Sequence, residues 1–522
     1  MADRALRTAG GIAAGGVTLG LAELVSVLVS PDSTPLQAVG AWIVDHTPDG
    51  FREWIIGLVG TNDKVLLFVC MGVAAVVLAA VAGIVEREQL PLGSILFAIF
   101  GLLSTIAALG RPNAAWTWAL PSILGMIAGI LVLRSLIGRI TRLDEFAETA
   151  AAAETAEPQR LSPAELAVER RQVVRGIAIA GAAAAVGGVA GRIIGLRSRD
   201  VSAERADVQL PSPTTTPSVE PGADLQIPGL TSYLTPNADF YRIDTALTVP
   251  QVSKDDWSLR IHGMVDREIR LSYADLAAKT PIERLVTLAC VSNPVGGDLI
   301  GNARWLGYRL DELIAAAGPH PDADMVLSRS IDGFTAGSPL AVLMDGRDAM
   351  LAVGMNGEPL PTAHGYPARL VVPGLYGYVS ATKWVTELEI TRFDRAEAFW
   401  TKRGWSAKGP IKTECRIDTP RRGTIAPGKV TVAGVAWAQH RGIRGVEVRI
   451  DQGDWRPARL AVAPSIDTWV QWAYDWDATG SSGVHTVWAR AIDGTGETQT
   501  DREQDVVPDG ATGYPSLTVR IG

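Results

Sequence analysis

Cysteine is scarce in this chain: three in 522 residues, at positions 70, 290 and 415. Three thiols cannot build a disulfide framework, which excludes a small stapled fold. Histidine is also rare, with six, at positions 46, 262, 320, 364, 440 and 485. Basic charge is not in excess: 48 Lys and Arg against 56 Asp and Glu leave a net charge of −8. No basic surface argues for nucleic acid, so none is expected as a partner. No Gly-x-Gly-x-x-Gly fingerprint follows a strand pattern, which argues against a dinucleotide site, and there is no P-loop. Phe and Tyr number only nine each, against fifteen Trp that cluster in the last third.

Hydrophobicity is abundant. Apolar residues make up 47% of the chain, and the mean hydropathy is positive at +0.16. The length suits three or four domains. The apolar residues concentrate in 8–138 and 174–196, and the remainder reads as soluble protein. Five stretches, about 8–30, 64–85, 92–110, 115–138 and 174–196, approach the ~20 apolar residues that cross a bilayer as helix. Residues 1–197 are therefore expected to be an all-α transmembrane region, with the lipid bilayer as partner. Among the first four stretches Glu23 is the one charge well inside a span, either functional or a packed acid. Residues 36–60, with Trp42, Asp45, His46, Arg52 and Trp54, read as an interfacial segment. A polar, partly helical connector surrounds Ala150–Glu154. All six histidines lie outside the spans, so no transmembrane haem is expected.

Charge sets the expected orientation. Arg4 and Arg7 precede the first span. Arg134, Arg139, Arg142, Arg160, Arg170, Arg171 and Arg175 lie between the fourth and fifth, while Arg52 and Arg111 are the main charges on the opposite side. The positive-inside rule places the first group in the cytoplasm and everything after about residue 197 outside. Arg170-Arg171 before a weakly hydrophobic helix also resembles a twin-arginine export signal placed internally.

Residues 198–230 carry Pro211, Pro213, Pro217, Pro221 and Pro228 and read as an extended tether. Beyond it, 231–396 mixes strands with short helices without a βαβ rhythm, an α+β pattern. Strands are expected at Leu259–Gly263, Glu283–Ala289 and Arg369–Pro373. Helices are expected at Ser272–Ala278 and Arg309–Ala317. Residues 397–522 alternate as an all-β sandwich of about seven short strands, immunoglobulin-like, with a hairpin turn at Asp451–Asp454.

Cys290 ends the apolar run Leu285–Ala289 and enters a polar loop. A thiol there can be a nucleophile, a metal ligand or a small core residue. Downstream stand Gly301-Asn302-Ala303-Arg304-Trp305-Leu306-Gly307, Met355-Asn356-Gly357-Glu358-Pro359, and His364-Gly365-Tyr366-Pro367-Ala368-Arg369. Together with Cys290 these motifs resemble the sulfite oxidase family of molybdenum–molybdopterin oxidoreductases, over about residues 231–522.

The resemblance implies a molybdopterin-binding fold with a bound molybdenum–molybdopterin cofactor. Cys290 is then the thiolate ligand of the metal, a soft donor suited to it. His364, Arg369 and Lys383 hold the pterin and its phosphate; Asp244, Thr245 and Asn293 are further cofactor contacts. Arg242, in a Phe240-Tyr241-Arg242 segment one residue out of step with the family pattern, would face the substrate. Asn356-Gly357 reads as a tight turn and Trp305 as a packing anchor. Cys415 reads as a buried free thiol, since the metal role of Cys290 excludes pairing with it.

The family's tyrosine before its Glu-Met-Asn-Gly is Val353 here, and Pro294 and Val295 replace basic residues after the cysteine. Sulfite is therefore not favoured. The expected activity is oxygen-atom and two-electron transfer on a small substrate outside the cytoplasm. Electrons would pass through a quinone or a separate carrier protein, and the C-terminal domain resembles one that makes homodimers. The competing reading is a non-catalytic membrane assembly protein using a degenerate oxidoreductase domain.

Overall fold

In the computed structural model the described residues are 2–522 apart from 49–50, 52–54, 56–57, 60–61, 113, 153–162 and 422. Side chains are described for all of these save 2–3, 146–152 and 163–166. Arg52, Trp54 and Arg160, and Ala153 and Glu154 of the connector, lie outside the described residues. The chain forms two compact units, Met1–Asp200 and Val201–Gly522.

The first unit is helical. Its long helices are α1 (Ala2–Val27), α2 (Pro35–His46), α3 (Asp63–Val85), α4 (Leu92–Leu109), α5 (Ala119–Ala152) and α6 (Pro163–Arg199). Five of them, all but α2, are long and apolar enough to cross a membrane by length and composition. α5 and α6 outrun the expected spans because their polar and charged ends continue the helix past the apolar stretch. α1 packs against α3, α5 and α6. At the α1–α3 crossing a Cβ on Gly11 or Gly83 would strike the facing backbone, so only glycine allows the approach. Arg7, read from sequence as a flanking charge, lies within α1 and is buried. It donates to Thr141 Oγ1 at 3.0 Å and to Asp144 at 3.2 Å. Glu86 is buried and caps α4, accepting from Ser94 N and Ser94 Oγ, each at 2.8 Å. Glu23 faces Arg192 of α6 at 3.9 Å.

The second unit is β-rich. One five-stranded sheet runs in the order Ile269–Ser272, Ser258–Gly263, Val385–Thr391, Met325–Ser330, Thr335–Pro339. Only its pair Ser258–Gly263 with Val385–Thr391 is parallel. A second, antiparallel sheet joins Ile282–Ala289, Ile300–Arg309, Met350–Met355 and Glu358–Pro359, with Arg369–Val371 also on Met350–Met355. The helices among these strands are short; Tyr273–Ala277 starts at a capping box between Ser272 and Asp275. Asn356 and Gly357, at φ 51° and 85°, make the tight turn before Glu358.

From Glu414 onward, nine strands among the described residues form a four-stranded and a five-stranded sheet. Val432 and Trp472 of one sheet and Val448 and Val487 of the other close one apolar core, with Cys415 buried and unpaired beside them. The alternation of buried Val487, Ala489 and Ala491 along Gly483–Asp493 is the period of two that marked the strand in the sequence.

Strand Ile282–Ala289 is almost wholly buried, as its continuous apolar run requires. Within the apolar run Leu285–Ala289 the polar exception is Thr287. Thr287 N donates to Asp467 O (2.9 Å), and Thr287 O accepts from Gln439 Nε2 (2.9 Å). Its hydroxyl accepts from Trp469 N (2.8 Å) and donates to Asn302 Oδ1 (3.0 Å). Loops of the sandwich thus bond to the strand that leads to Cys290.

Residues 201–230 differ from the extended tether expected over 198–230. Ser202–Asp207 is helical, and Arg205 donates to Leu360 O at 2.8 Å and Pro359 O at 2.6 Å. Glu204 accepts from Tyr366 Oη at 2.6 Å. Ala223 is fully buried and Leu225 N donates to Gln471 Oε1 at 2.6 Å. The composition correctly excludes a core of its own. It does not exclude docking on a neighbouring core, where a few polar anchors satisfy the backbone.

Candidate functional site

Cys290 opens into a cleft of about 840 Å³, its mouth included. Strand Ile282–Ala289 delivers the thiol to the cleft floor, and Cys290 N donates to Leu299 O at 2.9 Å. The following loop is closed by Asn293, whose Oδ1 accepts from Leu299 N at 2.9 Å. Burial pushes the thiol pKa up, against hydrogen bonds from Ser292 N–H and its hydroxyl and the charge of Lys383. Those donors and that cation favour the thiolate once something else compensates its burial.

His364 ends a short helical turn, and Gly365 at φ 111° reverses the chain. A Cβ at Gly365 would meet Lys383 and Arg369, so the reversal needs glycine. His364 Nε2 lies 3.1 Å from Asn237 O. A carbonyl only accepts, so Nε2 carries the proton and Nδ1 is the free lone pair. Burial, then the charges of Arg369 and Lys383, bring its pKa down to about 4. The ring is neutral near pH 7, and its donor is committed to Asn237 rather than to a ligand. Asn237 is itself held from the hairpin tip: Asn356 Nδ2 donates to Asn237 Oδ1 at 2.8 Å and to Thr235 O at 2.9 Å.

Arg369 is buried at 5% exposure. It donates to the carbonyls of His364 (3.2 Å), Leu370 (3.3 Å) and Ala381 (3.4 Å), and lies over the Trp305 ring at 5.0 Å. Among the described residues no carboxylate pairs with it. Burial lowers its pKa to about 10. Lys383 Nζ donates to Asp244 at 2.8 Å, and burial still brings its pKa to about 8 against that partner. Thr245 Oγ1 donates to Asp332 at 3.3 Å. Ser330 Oγ is buried in the lining with no partner among the described residues.

Cys290, His364, Arg369, Lys383, Asp244 and Thr245 therefore line one cleft. Two expected site residues do not. Arg242 is turned to Asp244, with Nε at 2.8 Å, and Ile243 takes the cleft-lining place instead. This segment has no strand ladder, so its side-chain phase could not be read from period two. Asn293 is buried behind the loop, bonded as described, and is not in the lining.

Sequence reasoning missed Tyr241, Ile243, Ser330 and Asp332, and the aromatic wall of Phe334, Tyr378, Trp400 and Trp405. The wall rings contact one another: Trp400–Trp405 at 6.1 Å and Tyr378–Trp405 at 5.9 Å. One signal was available: a dense aromatic run at 399–405 in a chain poor in Phe and Tyr. Val353 is buried in the core at 1% exposure and does not reach the cleft.

A buried arginine facing only carbonyls, a second buried cation and a single thiol suit a ligand carrying phosphate and a thiophilic metal. Arg369 and Lys383 would meet the phosphate and polar pterin edge, and Cys290 the metal. The residues present fit molybdenum–molybdopterin on this chemistry.

Residues 246–400 match the family model described as oxidoreductase molybdopterin binding domain. The chain is 28% identical over 319 residues to sulfite oxidase of Gallus gallus, covering 52% of this chain and 68% of that one. To mitochondrial sulfite oxidase of Homo sapiens it is 30% identical over 274 residues, covering 44% and 50%. To the uncharacterized oxidoreductase YuiH of Bacillus subtilis (strain 168) it is 32% identical over 153 residues, covering 29% and 74%. The chain thus spans about half the length of its human relative. The 246–400 region is a molybdopterin-dependent oxidoreductase domain. The chain belongs to the sulfite oxidase family, which implies molybdenum–molybdopterin as its cofactor.

The neutral His364 gives a pH test. Its folded pKa of about 4 lies below the ordinary 6.5. The unfolded chain therefore binds more protons between those values, so stability is full above about 6.5 and is lost as pH falls toward 4. Cofactor-free protein is expected to lose denaturant resistance between pH 7 and 5, and His364→Gln to lose less. An equal loss in the variant would assign the acid sensitivity elsewhere.

Proposed function

We propose that this protein is a membrane-anchored, extracytoplasmic molybdenum oxidoreductase that exchanges an oxygen atom and two electrons with a small, neutral substrate. The observation that carries this reading is the cleft, where one thiol and two buried cations face each other across a volume suited to a large cofactor. Bound molybdopterin would supply the two-electron, oxygen-atom chemistry through its metal. Cys290 would present its thiolate to that metal. Arg369 and Lys383 would bind phosphate and pterin, with Asp244 orienting Lys383 and Thr245 bracing Asp332. His364 would accept a hydrogen bond at Nδ1. Arg242, paired with Asp244, would hold that carboxylate in place.

Five apolar helices support the anchor, and the arginines between the fourth and fifth apolar stretches support the outward orientation. A quinone or a separate carrier protein would exchange the electrons. The two-sheet C-terminal domain is read as immunoglobulin-like and as a homodimer surface. The aromatic wall and Ile243 support a neutral substrate over a dianion such as sulfite.

The detergent-purified protein is expected to hold about one molybdenum per chain, because one thiolate ligand is offered. Cys290→Ser, a harder oxygen donor, should abolish turnover while leaving the melting temperature close to that of the parent. Full turnover in the variant would exclude Cys290 as ligand.

Arg170→Lys combined with Arg171→Lys should keep the last two domains from crossing, with the first four spans still inserted. Protease protection in spheroplasts reads this directly. Unchanged external accessibility would reject the twin-arginine route.

Steady-state assays on metal-loaded enzyme should show poor sulfite turnover and better use of a sulfoxide or N-oxide. Each charge-assisted bond denied to a dianion is worth roughly 1.5–3 kcal/mol, so two missing ones cost several orders of magnitude in affinity. Efficient turnover at micromolar sulfite would overturn the neutral-substrate reading.

A further inference from the structure

Tyr241 has no role in the site as described so far, yet its side chain lines the cleft. Its ring is fixed by packing. It stacks on Phe240 at 5.3 Å and 21°, and Phe240 is wedged edge-on against Trp305 at 5.7 Å and His364 at 5.5 Å. A Cβ built on Gly377 would lie 3.9 Å from the Tyr241 hydroxyl and 3.7 Å from the carbonyl oxygen of Ala289. The phenol oxygen and the Ala289 carbonyl, which immediately precedes Cys290, thus both border Gly377. Its electrostatic neighbours are Cys290 and Arg369.

Several other donors around the cofactor space already have protein acceptors, while the Ser330 hydroxyl, like that of Tyr241, has none among the described residues. Lys383 donates to Asp244, Arg369 to three carbonyls, His364 to Asn237 O and Thr245 to Asp332. Ser292 donates to the sulfur of Cys290. Among the described residues the Tyr241 hydroxyl makes no hydrogen bond to protein. Arg242, next in the chain, is turned away to Asp244, and Ile243 can donate nothing. A packed ring whose unspent hydroxyl borders the same cleft as the thiol is placed to meet a ligand atom.

We infer that Tyr241 donates a hydrogen bond to the oxygen atom that the substrate gives up or receives beside Cys290. This rests on the reading of the cleft as the oxygen-transfer site. It is independent of whether the substrate is neutral or anionic.

The test compares the full-length, detergent-purified, metal-loaded protein with Tyr241→Phe, which keeps the ring and removes the hydroxyl. Probes are dimethyl sulfoxide and trimethylamine N-oxide with a reduced viologen dye as electron donor, and sulfite with ferricyanide as acceptor. Losing one preorganised donor should lower kcat/KM about 10–100-fold for every probe the parent uses. Molybdenum and pterin content and melting temperature should stay at parent values, which a merely structural role would not allow.

A loss on sulfite alone would keep Tyr241 in its role and overturn the neutral-substrate reading. A kcat/KM within twofold of the parent on each probe used would overturn the inference. Where the parent turns over none of the three, quenching of cleft tryptophan fluorescence by dimethyl sulfoxide decides. Weaker binding in Tyr241→Phe supports the role, and equal binding or none overturns it.

Discussion

The position of Cys290 depends on Thr287, the polar side chain inside the apolar run Leu285–Ala289. Thr287 uses its backbone N–H, its carbonyl and its hydroxyl to bind three segments at once: 439, 467–469 and 302. All of these groups are buried, so each bond left unmade would cost the desolvation of its partner. The strand therefore cannot slide by a residue without orphaning several groups together. The thiol three residues later inherits that fixed register. The sandwich is thus part of the scaffold of the site, although it contributes none of the residues that line it.

The cleft is organised by positive charge held out of water. Lys383 has a carboxylate partner, whereas Arg369 has carbonyl oxygens and the face of Trp305. Burial pulls both cations toward neutrality, and an anionic ligand would reverse that pull. Burial, with the same charges, keeps His364 unprotonated, and the charge of Lys383 lowers the cost of a thiolate at Cys290. Cofactor retention and thiolate formation are therefore expected to be linked, because each supplies negative charge to the same field.

The sequence was most legible where local pattern and chemistry coincide. The run ending at Cys290, the capping box at Ser272 and the alternation of Gly483–Asp493 appear as elements where the periodicity places them. Cys290 is far in sequence from His364, Arg369 and Lys383, and a family resemblance was needed to join them. The structure brings them together. Arg242 was misplaced because its segment has no hydrogen-bond ladder to set which residues point inward. Val353, which stands where the family has a tyrosine, is buried in the core. The aromatic wall joins residues from 334, 378, 400 and 405, which no local pattern connects. Proline content showed that 198–230 could not make a core, and was silent on whether another surface would hold it.

The turn at Asn356-Gly357 was read as backbone geometry alone. Its side-chain amide holds Asn237, and the carbonyl of Asn237 decides which nitrogen of His364 keeps the proton. A loop tip thereby selects an imidazole tautomer through two relays. An aspartate at 356 would offer oxygen where Asn237 Oδ1 and Thr235 O now receive a proton. Spontaneous deamidation of that Asn-Gly pair would do the same. Chemical ageing at a solvent-side hairpin would then be felt as altered acid–base character inside the cleft, with no lining residue changed.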